Sequence, residues 1–389
     1  MLSPATLAAA RFSRLRELGP AFIANRGTNY IVGALTPLPP PDSWADVQRA
    51  ANGGRTGGAE HGGRTGGFGA VGYLAYEAGI WAQPVAQGCP PPLPLGWLGR
   101  CESITHSPSE APDIPLPPPK GQPPSWSSAS DYERAVRTAL DHIRAGDCYQ
   151  VNLARRVTVP DPGDPLDVWL RLQASNPARC GMLLDTGAFS VLSNSPELLL
   201  QMAGREVLSI PIKGTRPIDQ SPERLMHSAK ERAELTMIVD LVRADLGSVA
   251  IPGSVRAGPR RIGRIGHLWH AMQRVRATVG PDVHAADVLR VLFPAGSVTG
   301  APRQRATEII ARLEGAPRGA YCGTMGWFGD DGSAHWNVAI RTMTFLGPRT
   351  RPQIAEMHFG SGIVWGSDPA REREETEWKA QRMLAAVCG

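Results

Sequence analysis

The stretch Ile210-Pro211-Ile212-Lys213-Gly214-Thr215 places one lysine in an apolar, strand-like run that ends at a glycine. A lysine in such a run either extends along a sheet edge to reach water or lies in a pocket with a lowered pKa. The second alternative has chemical consequences, because a desolvated amine loses its proton more easily and only the neutral amine is a nucleophile. The stretch alone leaves both alternatives open.

Length and composition indicate a globular protein with a large core. The chain has 389 residues, of which 42% are hydrophobic and 20% charged. No stretch approaches the roughly 18 uncharged apolar residues of a membrane span. Residues 1–20 contain no signal-peptide core, so we expect a cytoplasmic protein without a membrane partner. The six cysteines are scattered without a CxxC pair, which favours reduced thiols over a disulfide framework or a zinc site.

The chain is mildly basic, with a net charge of +5 and a pI of about 9.0. Its arginines are spread along the sequence, and the densest cluster, residues 256–264, has no interleaved aromatic residues. An enzyme that binds an anionic substrate explains this balance as well as a nucleic-acid-binding protein does. We therefore predict no nucleic-acid partner.

The sequence divides into a small N-terminal portion, residues 1–125, and a larger body, residues 126–389. Residues 1–50 have the pattern of a helix and strands at the edge of the fold. Segments 53–58 and 62–67 both read Gly-Gly-Arg-Thr-Gly-Gly and predict a flexible surface loop, whereas proline-rich residues 84–124 predict a linker. Residues 71–80, between them, predict a strand or strand and turn that buries Tyr73 and Tyr76.

A well-marked helix opens the larger body. Ser130 is predicted to cap its N-terminus, with Glu133 completing a capping box. Val136, Leu140 and Ile143 form its apolar stripe. Strands and helices then alternate to residue 389 without a second linker, so we expect the chemistry in this body.

Two polar residues accompany predicted strands. In the strand of residues 148–159, alternation places Gln150 and Asn152 on one face, where Gln150 either binds a ligand or faces solvent. Glu197 precedes the apolar run Leu198-Leu-Leu200. Desolvation by that run would raise the pKa of the carboxyl and suit it to act as a general acid, whereas a carboxylate at a strand end in water would be inert.

Two predicted helices carry carboxylates on one face each. Glu231 and Glu234 lie at i, i+3 in the helix of residues 228–246, and Glu372, Glu375 and Lys379 lie at i, i+3, i+7 in the last helix. Two such helices can enclose one Mg²⁺, which takes oxygen ligands and keeps several waters. A solvated charged face is the alternative interpretation.

A third set of residues has the chemistry of an anion site. Residues 293–302, which include Ser297, lead into a predicted helix over 303–313 and offer hydroxyls and backbone N–H groups. Gly360-Ser361-Gly362 can bring backbone amides close to a carboxylate. Arg341 would supply a bidentate fork, with Tyr321 as a hydroxyl donor. Each of these features is also compatible with turn chemistry or a surface arginine.

Taken in order, these segments resemble the chorismate-utilising enzymes, the family of anthranilate synthase component I, isochorismate synthase and salicylate synthase. The resemblance is strong over about residues 130–389 and weak over the first 125. The matching stretches are GDCYQVNLARR (146–156), SNSPELLL (193–200), IPIKGTRP (210–217), SAKERAELTMIVDLVRADLG (228–247), FPAGSVTGAPR (293–303), GAYCGTMGW (319–327), AIRTM (339–343), FGSGIV (359–364) and EREETEWKAQRML (372–384).

Two positions bear on the reaction that the resemblance implies. Family members that add water to chorismate carry a lysine base where this chain has Gln150, and glutamine cannot take a proton from water. Anthranilate synthases typically read PIAGT where this chain reads PIKGT, with Lys213 in place of alanine. The lysine version resembles aminodeoxychorismate synthase component I, which serves p-aminobenzoate and folate biosynthesis. Anthranilate synthase component I is the alternative within the family.

The resemblance also implies a role for each site residue. Lys213 is the covalent nucleophile, Glu197 the general acid, and His267 an active-site histidine close to the leaving group. Residues 126–389 form the chorismate-binding catalytic body, and Mg²⁺ is the cofactor. The remaining roles are metal binding by Glu234 and Glu375 with support from Glu231 and Glu372, and substrate binding by Gln150, Ser297, Tyr321, Arg341, Gly360, Ser361, Gly362 and Lys379.

Ammonia for the implied reaction would come from a separate glutamine amidotransferase subunit. The chain has no convincing amidotransferase nucleophile, since Cys322 falls inside the family's own GAYCG motif. The sequence departs from the family pattern at Ala244, Ser248, Arg303 and Trp365, which spares the implied catalytic set. The short N-terminal region puts a tryptophan regulatory pocket in doubt.

The resemblance implies an α+β fold with large antiparallel β-sheets packed face to face and helices outside. Outside the family, the alternative is a catalytically silent, basic binding protein that kept this fold. The presence together of Gln150, Glu197, Lys213, Glu234 and Glu375 argues against it.

Overall fold

The structure is a computed structural model and describes residues 4–26, 29–52, 68–82, 91–101, 104–108, 116–266, 268–348 and 352–389. Its helices are α1 (Pro4–Leu18), α2 (Trp44–Ala51), α3 (Gly79–Ala82), α4 (Ala129–Arg144), α5 (Pro165–Ser175), α6 (Pro222–His227), α7 (Ala229–Gly247), α8 (Ala285–Leu292), α9 (Arg303–Leu313) and α10 (Pro369–Val387). Short 3₁₀ turns lie at Tyr76–Ala78 and Gly296–Val298.

The strands are β1 (Ala21–Arg26), β2 (Asn29–Ala34), β3 (Thr36–Pro37), β4 (Phe68–Leu74), β5 (Gly96–Arg100), β6 (Thr105–Pro108), β7 (Ser125–Trp126), β8 (Gln150–Pro160), β9 (Cys180–Asp185), β10 (Phe189–Ser195), β11 (Leu198–Ala203), β12 (Glu206–Ile210), β13 (Ile212–Pro217), β14 (Arg256–Ala257), β15 (Arg261–Ile265), β16 (Leu268–Met272), β17 (Val275–Thr278), β18 (Gly300–Ala301), β19 (Thr324–Gly329), β20 (Ala334–Asn337), β21 (Thr342–Leu346) and β22 (Ile354–Ile363).

These strands form two large antiparallel sheets and one small one. The first sheet runs β18-β8-β22-β21-β10-β9-β1-β2-β6, with β7 also paired to β8. The second runs β14-β17-β12-β11-β20-β19-β4-β5-β3. The small sheet, β13-β16-β15, contains the lysine-bearing segment at one edge. The expectation of a strand around Lys213 is therefore confirmed.

Alternating side chains pack the two large sheets against each other. Phe22, Met182 and Val191 of the first sheet share one core cluster with Tyr73 and Trp327 of the second. Intervening residues on the opposite faces, such as Ile23 and Leu183, pack against α1, α5 and α10 instead. This period-two division is what buries a sheet on both faces. The predicted α+β fold, with sheets face to face and helices outside, is confirmed.

Helix α4 forms where its apolar stripe predicts it, but the predicted cap is wrong. Val136, Leu140 and Ile143 are buried as expected. The N-cap is Ser128, whose hydroxyl accepts a hydrogen bond from the backbone N–H of Asp131 at 3.2 Å. Ser130 lies inside the first turn, because a serine two residues earlier already satisfies the free N–H groups there.

The proline-rich segment is only partly the linker that the sequence predicts. Residues 96–100 form β5, which pairs with β4 and buries Leu98, and residues 105–108 form β6, which pairs with β2. Alternation in Gly-Trp-Leu-Gly-Arg outweighs the neighbouring prolines, because those prolines lie outside the strand itself. The strand and turn over 71–80 are confirmed, with Tyr73 and Tyr76 buried.

Strands of the N-terminal portion belong to the large sheets. β1 pairs with β9 in the first sheet, and β4 pairs with β19 in the second. Both large sheets therefore contain strands from each side of residue 125. The division of the chain at that residue stays a prediction. The glycine-rich repeat at 53–67 lies outside the described residues. Among the helices that the structure describes, none combines the length and apolar character needed to cross a membrane.

Candidate active site

A cavity of about 600 Å³ opens where the small sheet and two helices meet one end of the large sheets. Its walls come from β8 and β22 of the first sheet, from β13 and β16, and from α7 and α10. Residues before β11 and after α8 close its floor. The predicted site residues that line it are Glu197, Lys213, Glu231, Glu234, Ser297, Tyr321, Arg341, Gly360, Gly362, Glu372, Glu375 and Lys379.

Lys213 extends from β13 into this cavity. Its Nζ donates to the carbonyl oxygen of Ser297 at 3.0 Å. Burial lowers the pKa of the Lys213 amine, and the nearby Glu234 carboxylate opposes that shift. Of the two alternatives for this lysine, the structure therefore shows the enclosed amine rather than a residue extended towards bulk water.

Glu197 lies on the cavity floor beside the start of β11. Burial raises its pKa to about 7, while the neighbouring Ser297 side chain and the charge of Lys213 act in the opposite direction. Its own backbone N–H donates to the Ser195 hydroxyl at 3.1 Å, which fixes the main chain at this position. A carboxyl with this pKa holds a proton in a large fraction of molecules at neutral pH, as a general acid requires.

Two glycines make room beside the Lys213 amine and the Tyr321 hydroxyl. A methyl group on Gly362 would lie 3.1 Å from Lys213 Nζ and 3.2 Å from Gln150 Nε2. On Gly360 it would lie 2.8 Å from the Tyr321 hydroxyl oxygen. Both positions belong to β22, so the Gly360-Ser361-Gly362 segment is strand and not a loop. β21 pairs with β22 only as far as Met357, which leaves the edge beyond it free of that neighbour.

Gln150 is completely buried, with 0% exposure, and does not point to solvent. Neither its Oε1 nor its Nε2 has a hydrogen-bond partner among the residues that the structure describes. A buried amide without partners costs free energy unless something else satisfies it. Gln150 lies near Lys213, so its amide without partners lies near the Lys213 amine.

The four glutamates of α7 and α10 meet across the cavity. Burial raises the pKa of Glu234 to about 7 and also raises that of Glu231, and neighbouring carboxylates add to both shifts. Glu375 behaves differently, because Lys379 lies 2.6 Å from it and the pKa of Glu375 is lowered. Lys379 also donates to the Gly360 carbonyl oxygen at 2.8 Å. These carboxylates line the cavity, with Glu372 buried and the other three partly exposed.

This cluster suits a hard cation with few protein ligands. Carboxylates that lie close together raise one another's pKa, and a bound cation would relieve this repulsion. Mg²⁺ prefers oxygen ligands and is often held by one or two carboxylates together with water and substrate. Within the described ranges, no three acidic, histidine or cysteine side chains form a ready-made metal-binding group. The residues fit a cation that completes its shell with other oxygens.

Arg341 is a buried cation that lines the same cavity. It is 8% exposed, and its Nη2 lies 3.2 Å from Nε2 of His270. Burial lowers the pKa of Arg341 to about 10, and no carboxylate of the described chain offsets that effect. Its φ of 51° is a strained conformation of the kind found at functional sites. The group is poised to receive an anion from outside the chain.

Tyr321 lines the cavity beside the Gly360 position. Its ring stacks on the buried His358 with 5.4 Å between ring centroids. The adjacent Cys322 is no thiolate nucleophile, since burial raises its pKa to about 12. Ser361 lies one residue beyond Gly360 and hydrogen-bonds the hydroxyl of Tyr132 at 2.8 Å, so it supports the wall from behind.

Sequence reasoning missed several residues that the structure brings to the site. Lys230 lies 3.9 Å from Glu234 and 3.7 Å from Glu372, and bridges the two acidic helices. His270 and His358 line the cavity from β16 and β22. Strand alternation was the available signal for His358, because His358 shares one face of β22 with Gly360 and Gly362. The predicted residue His267 lies outside the described residues.

Comparisons with known proteins identify the family. Residues 37–385 match the model of the chorismate binding enzymes, which covers most of the chain. The chain therefore belongs to the chorismate binding enzyme family. The resemblance inferred from nine short motifs is confirmed.

Two relatives show how the family divides. Anthranilate synthase component 1 of Streptomyces coelicolor is 40% identical over 277 residues, 69% of this chain and 53% of that protein. Aminodeoxychorismate synthase component 1 of Klebsiella aerogenes is 39% identical over 267 residues, 66% of this chain and 58% of that protein. The chain thus spans a little more than half the length of these curated relatives.

Solved structures support the fold. Anthranilate synthase component I of Streptococcus pneumoniae superimposes with a TM-score of 0.76 at 25% identity, covering 93% of this chain and 89% of that one. MenF, the menaquinone-specific isochorismate synthase of Escherichia coli, superimposes with a TM-score of 0.72 at 19% identity, covering 95% of this chain and 88% of the other. The second likeness is evidence of a shared fold alone.

Proposed function

We propose that this protein is the chorismate-aminating component of aminodeoxychorismate synthase. It would convert chorismate and ammonia into 4-amino-4-deoxychorismate, the precursor of p-aminobenzoate. The observation that carries the proposal is the Lys213 amine, which lies inside the family cavity with a lowered pKa and a hydrogen bond to Ser297. An amine in this position is a nucleophile that an alanine at the same place would not supply.

The cavity lining offers groups for both carboxylates of a dicarboxylate. Arg341 would pair with the enolpyruvyl carboxylate, assisted by the Tyr321 hydroxyl and the free edge of β22. The ring carboxylate would lie towards the α7 and α10 glutamates, where Mg²⁺, when bound, would neutralise it. Glu234 and Glu375 would hold the ion, with Glu231 and Glu372 in support. Substrate binding would then bring the ring between Lys213 and Glu197.

The reaction would proceed in two displacements. The neutral Lys213 amine attacks C2 of the ring, the double bond shifts, and the C4–O bond breaks. Glu197 donates its proton to the departing hydroxyl, which leaves as water. Ammonia then forms a bond to C4, the double bond shifts back, and the C2–N bond breaks to release the Lys213 amine. The new ammonium group at C4 loses one proton, which restores the acid form of Glu197. Net exchange is one hydroxyl for one amino group.

Ammonia would come from a glutamine amidotransferase subunit. Cys322, the chain's one sequence feature that resembles an amidotransferase thiol, is buried and has a pKa raised to about 12. A thiol that stays protonated does not attack glutamine. A cytoplasmic location and a place in folate biosynthesis remain part of this proposal.

Anthranilate synthase component I is the second candidate. The observation in its favour is the name of several relatives, including the Streptomyces coelicolor protein at 40% identity. The two reactions differ in where ammonia attacks, at C4 or directly at C2. Lys213 favours the first, because its amine occupies the approach to C2 once a covalent bond forms.

Product analysis separates the two candidates. Purified protein is incubated with chorismate, ammonium and Mg²⁺, with and without an added aminodeoxychorismate lyase. We expect p-aminobenzoate only with the lyase and no fluorescent anthranilate. Anthranilate as the main product without lyase would overturn the proposal in favour of the second candidate. Loss of turnover on chelation, restored by Mg²⁺, tests the metal.

A further inference from the structure

Arg318 is a buried guanidinium directly behind the cavity wall, with 2% exposure. Its Nε and Nη2 donate to the two carboxylate oxygens of Glu314 at 2.8 and 2.6 Å. Nη1 donates to the carbonyl oxygen of Val298 and Nη2 to that of Asn152, each at 2.8 Å. The guanidinium carbon lies 4.7 Å from the ring centroid of Tyr76. A planar group held this way defines the position of everything it binds.

The segments that Arg318 contacts also line the cavity. Asn152 itself lines the cavity, and Val298 follows Ser297 in the chain. Tyr321 lies on another side, with its ring centroid 5.8 Å from the guanidinium carbon. Glu314 extends the same network, since its Oε1 also accepts the backbone N–H of Ala154 at 2.8 Å. One buried pair therefore links three separate segments of the cavity wall.

One of these segments holds both reacting groups. The Ser297 carbonyl accepts the hydrogen bond from Lys213 Nζ, and the Ser297 side chain is close enough to Glu197 to oppose the rise in the pKa of that carboxyl. The Val298 carbonyl, one peptide unit further, is fixed by Arg318. A shift of this peptide would therefore move groups that neighbour both Lys213 and Glu197.

We propose that Arg318, oriented by Glu314, is a positioning residue for the reaction. It sets the distance between Lys213 and Glu197 through the Ser297-Val298 main chain, and it touches no substrate atom. Arg341 and the glutamates of α7 and α10, which would bind the two substrate carboxylates, make no hydrogen bond or ion pair with Arg318 among the described residues. Removing Arg318 should therefore reduce turnover far more than substrate affinity.

The test is steady-state consumption of chorismate at saturating ammonium and Mg²⁺ by native protein, Arg318→Met and Arg318→Lys. For Arg318→Met we expect kcat to fall about 10²-fold, the usual cost of a small misplacement of reacting groups. KM should stay within about threefold of native. Arg318→Lys, which keeps one donor and the charge, should recover part of the lost kcat. A native kcat, or a loss confined to KM, overturns the inference.

A general loss of stability must be told apart from misplacement. Arg16→Met is the matched control, because Arg16 also makes a two-pronged ion pair, with Asp164, and lies over the ring of Phe12 on the far side of the first sheet. It should lose stability and keep native kcat per folded molecule. An equal loss of kcat in Arg16→Met would overturn a positioning role for Arg318.

If Arg318→Met does not fold, the kinetics of Glu314→Gln test the positioning role instead. It keeps the shape of the side chain and weakens only the orienting pair. A lower kcat with unchanged KM supports the inference, and native kinetics overturn it. The inference rests on the proposed function only for its readout. Chorismate consumption by the native protein supplies that readout whichever product forms, the product analysis above tests the proposed function separately, and the ratio of variant to native tests Arg318.

Discussion

Arg318 and Arg341 are both buried guanidinium groups, and they differ in what surrounds them. Arg318 pairs with Glu314 and two carbonyl oxygens, and its pKa is raised because these partners outweigh its burial. Arg341 has His270 beside it and no carboxylate of the described chain, and its pKa is lowered to about 10. The same side chain is satisfied at one place and left in need of an anion at the other.

The difference extends to the residues around each arginine. Around Arg318, Glu77 accepts the backbone N–H groups of Arg318 and Gly319, and Glu314 binds Ala154. Around the cavity, the carboxylates raise one another's pKa, and Gln150 has no partner among the described residues. The Arg318 network is satisfied within the chain, whereas the cavity groups lack partners, which is the pattern expected of groups that bind ligands. Four predictions test this division.

Lys213→Ala should have the largest effect. Loss of the nucleophile should reduce formation of 4-amino-4-deoxychorismate by about 10³-fold, with any remaining turnover diverted to anthranilate. Coupled lyase assays and anthranilate fluorescence measure the two products. Lys120→Ala, a change at an exposed lysine, is the control and should be native. Native rates of aminodeoxychorismate formation in Lys213→Ala would exclude covalent catalysis.

Glu197→Gln should reduce kcat by about 10²-fold and change its pH dependence. In the native protein Glu197 must be protonated to act as the acid, so the rate should fall as pH rises through about 7. Lys213 must be neutral, so the rate should also fall towards acidic pH. Glutamine cannot titrate, so the variant should lose the alkaline decline. A decline that persists unchanged would assign it to another group.

Arg341→Met should raise KM for chorismate about 30-fold, the loss expected for one charge-assisted contact to a carboxylate. Its free energy of unfolding should not decrease, because the substitution removes a buried charge that lacks a carboxylate partner. Arg318→Met should instead lower the free energy of unfolding by about 3 kcal/mol, since it leaves Glu314 unpaired. Urea unfolding compares the two. Equal destabilisation would break the contrast between these arginines.

Glu234→Gln should have the smallest effect, a gain of about 1 kcal/mol in the unfolding free energy of ligand-free protein at pH 8. It removes one carboxylate from a cluster whose members repel each other. We expect Mg²⁺ to raise the melting temperature of the native protein, and the variant should lose that rise. Glu314→Gln is the matched control and should be destabilised. An undiminished Mg²⁺ response in Glu234→Gln would remove that residue from the metal site.

Local spacing grouped the acidic residues within each helix, and the resemblance to the family brought the separate segments of the site together. Glu231 and Glu234 share a helix face, and so do Glu375 and Lys379, so 3.6-residue periodicity was enough to group them. Helix α9 begins and ends as predicted, after a proline that stops the preceding segment. Ser128 replaced Ser130 as the cap because two serines two positions apart give the same local signal.

Contacts between distant segments could not be predicted from one sequence. Arg318 reaches Asn152, 166 positions away, and Glu77, 241 positions away, through a turn without a helical or strand period. Strand alternation alone left open whether Gln150 faces a ligand or solvent, and the structure shows it completely buried. Its neighbour Tyr149 is 75% exposed, so alternation alone does not reveal which of the two faces the interior.

β1 and β4 have a practical consequence for handling this protein. Each is an inner strand of one large sheet. A fragment starting at residue 126 would therefore expose two unpaired strand edges, at β9 and β19, to solvent. Unpaired N–H and C=O groups along such edges recruit other chains. Truncation to residues 126–389 should therefore yield aggregates, so the fragment alone is a poor route to a folded protein.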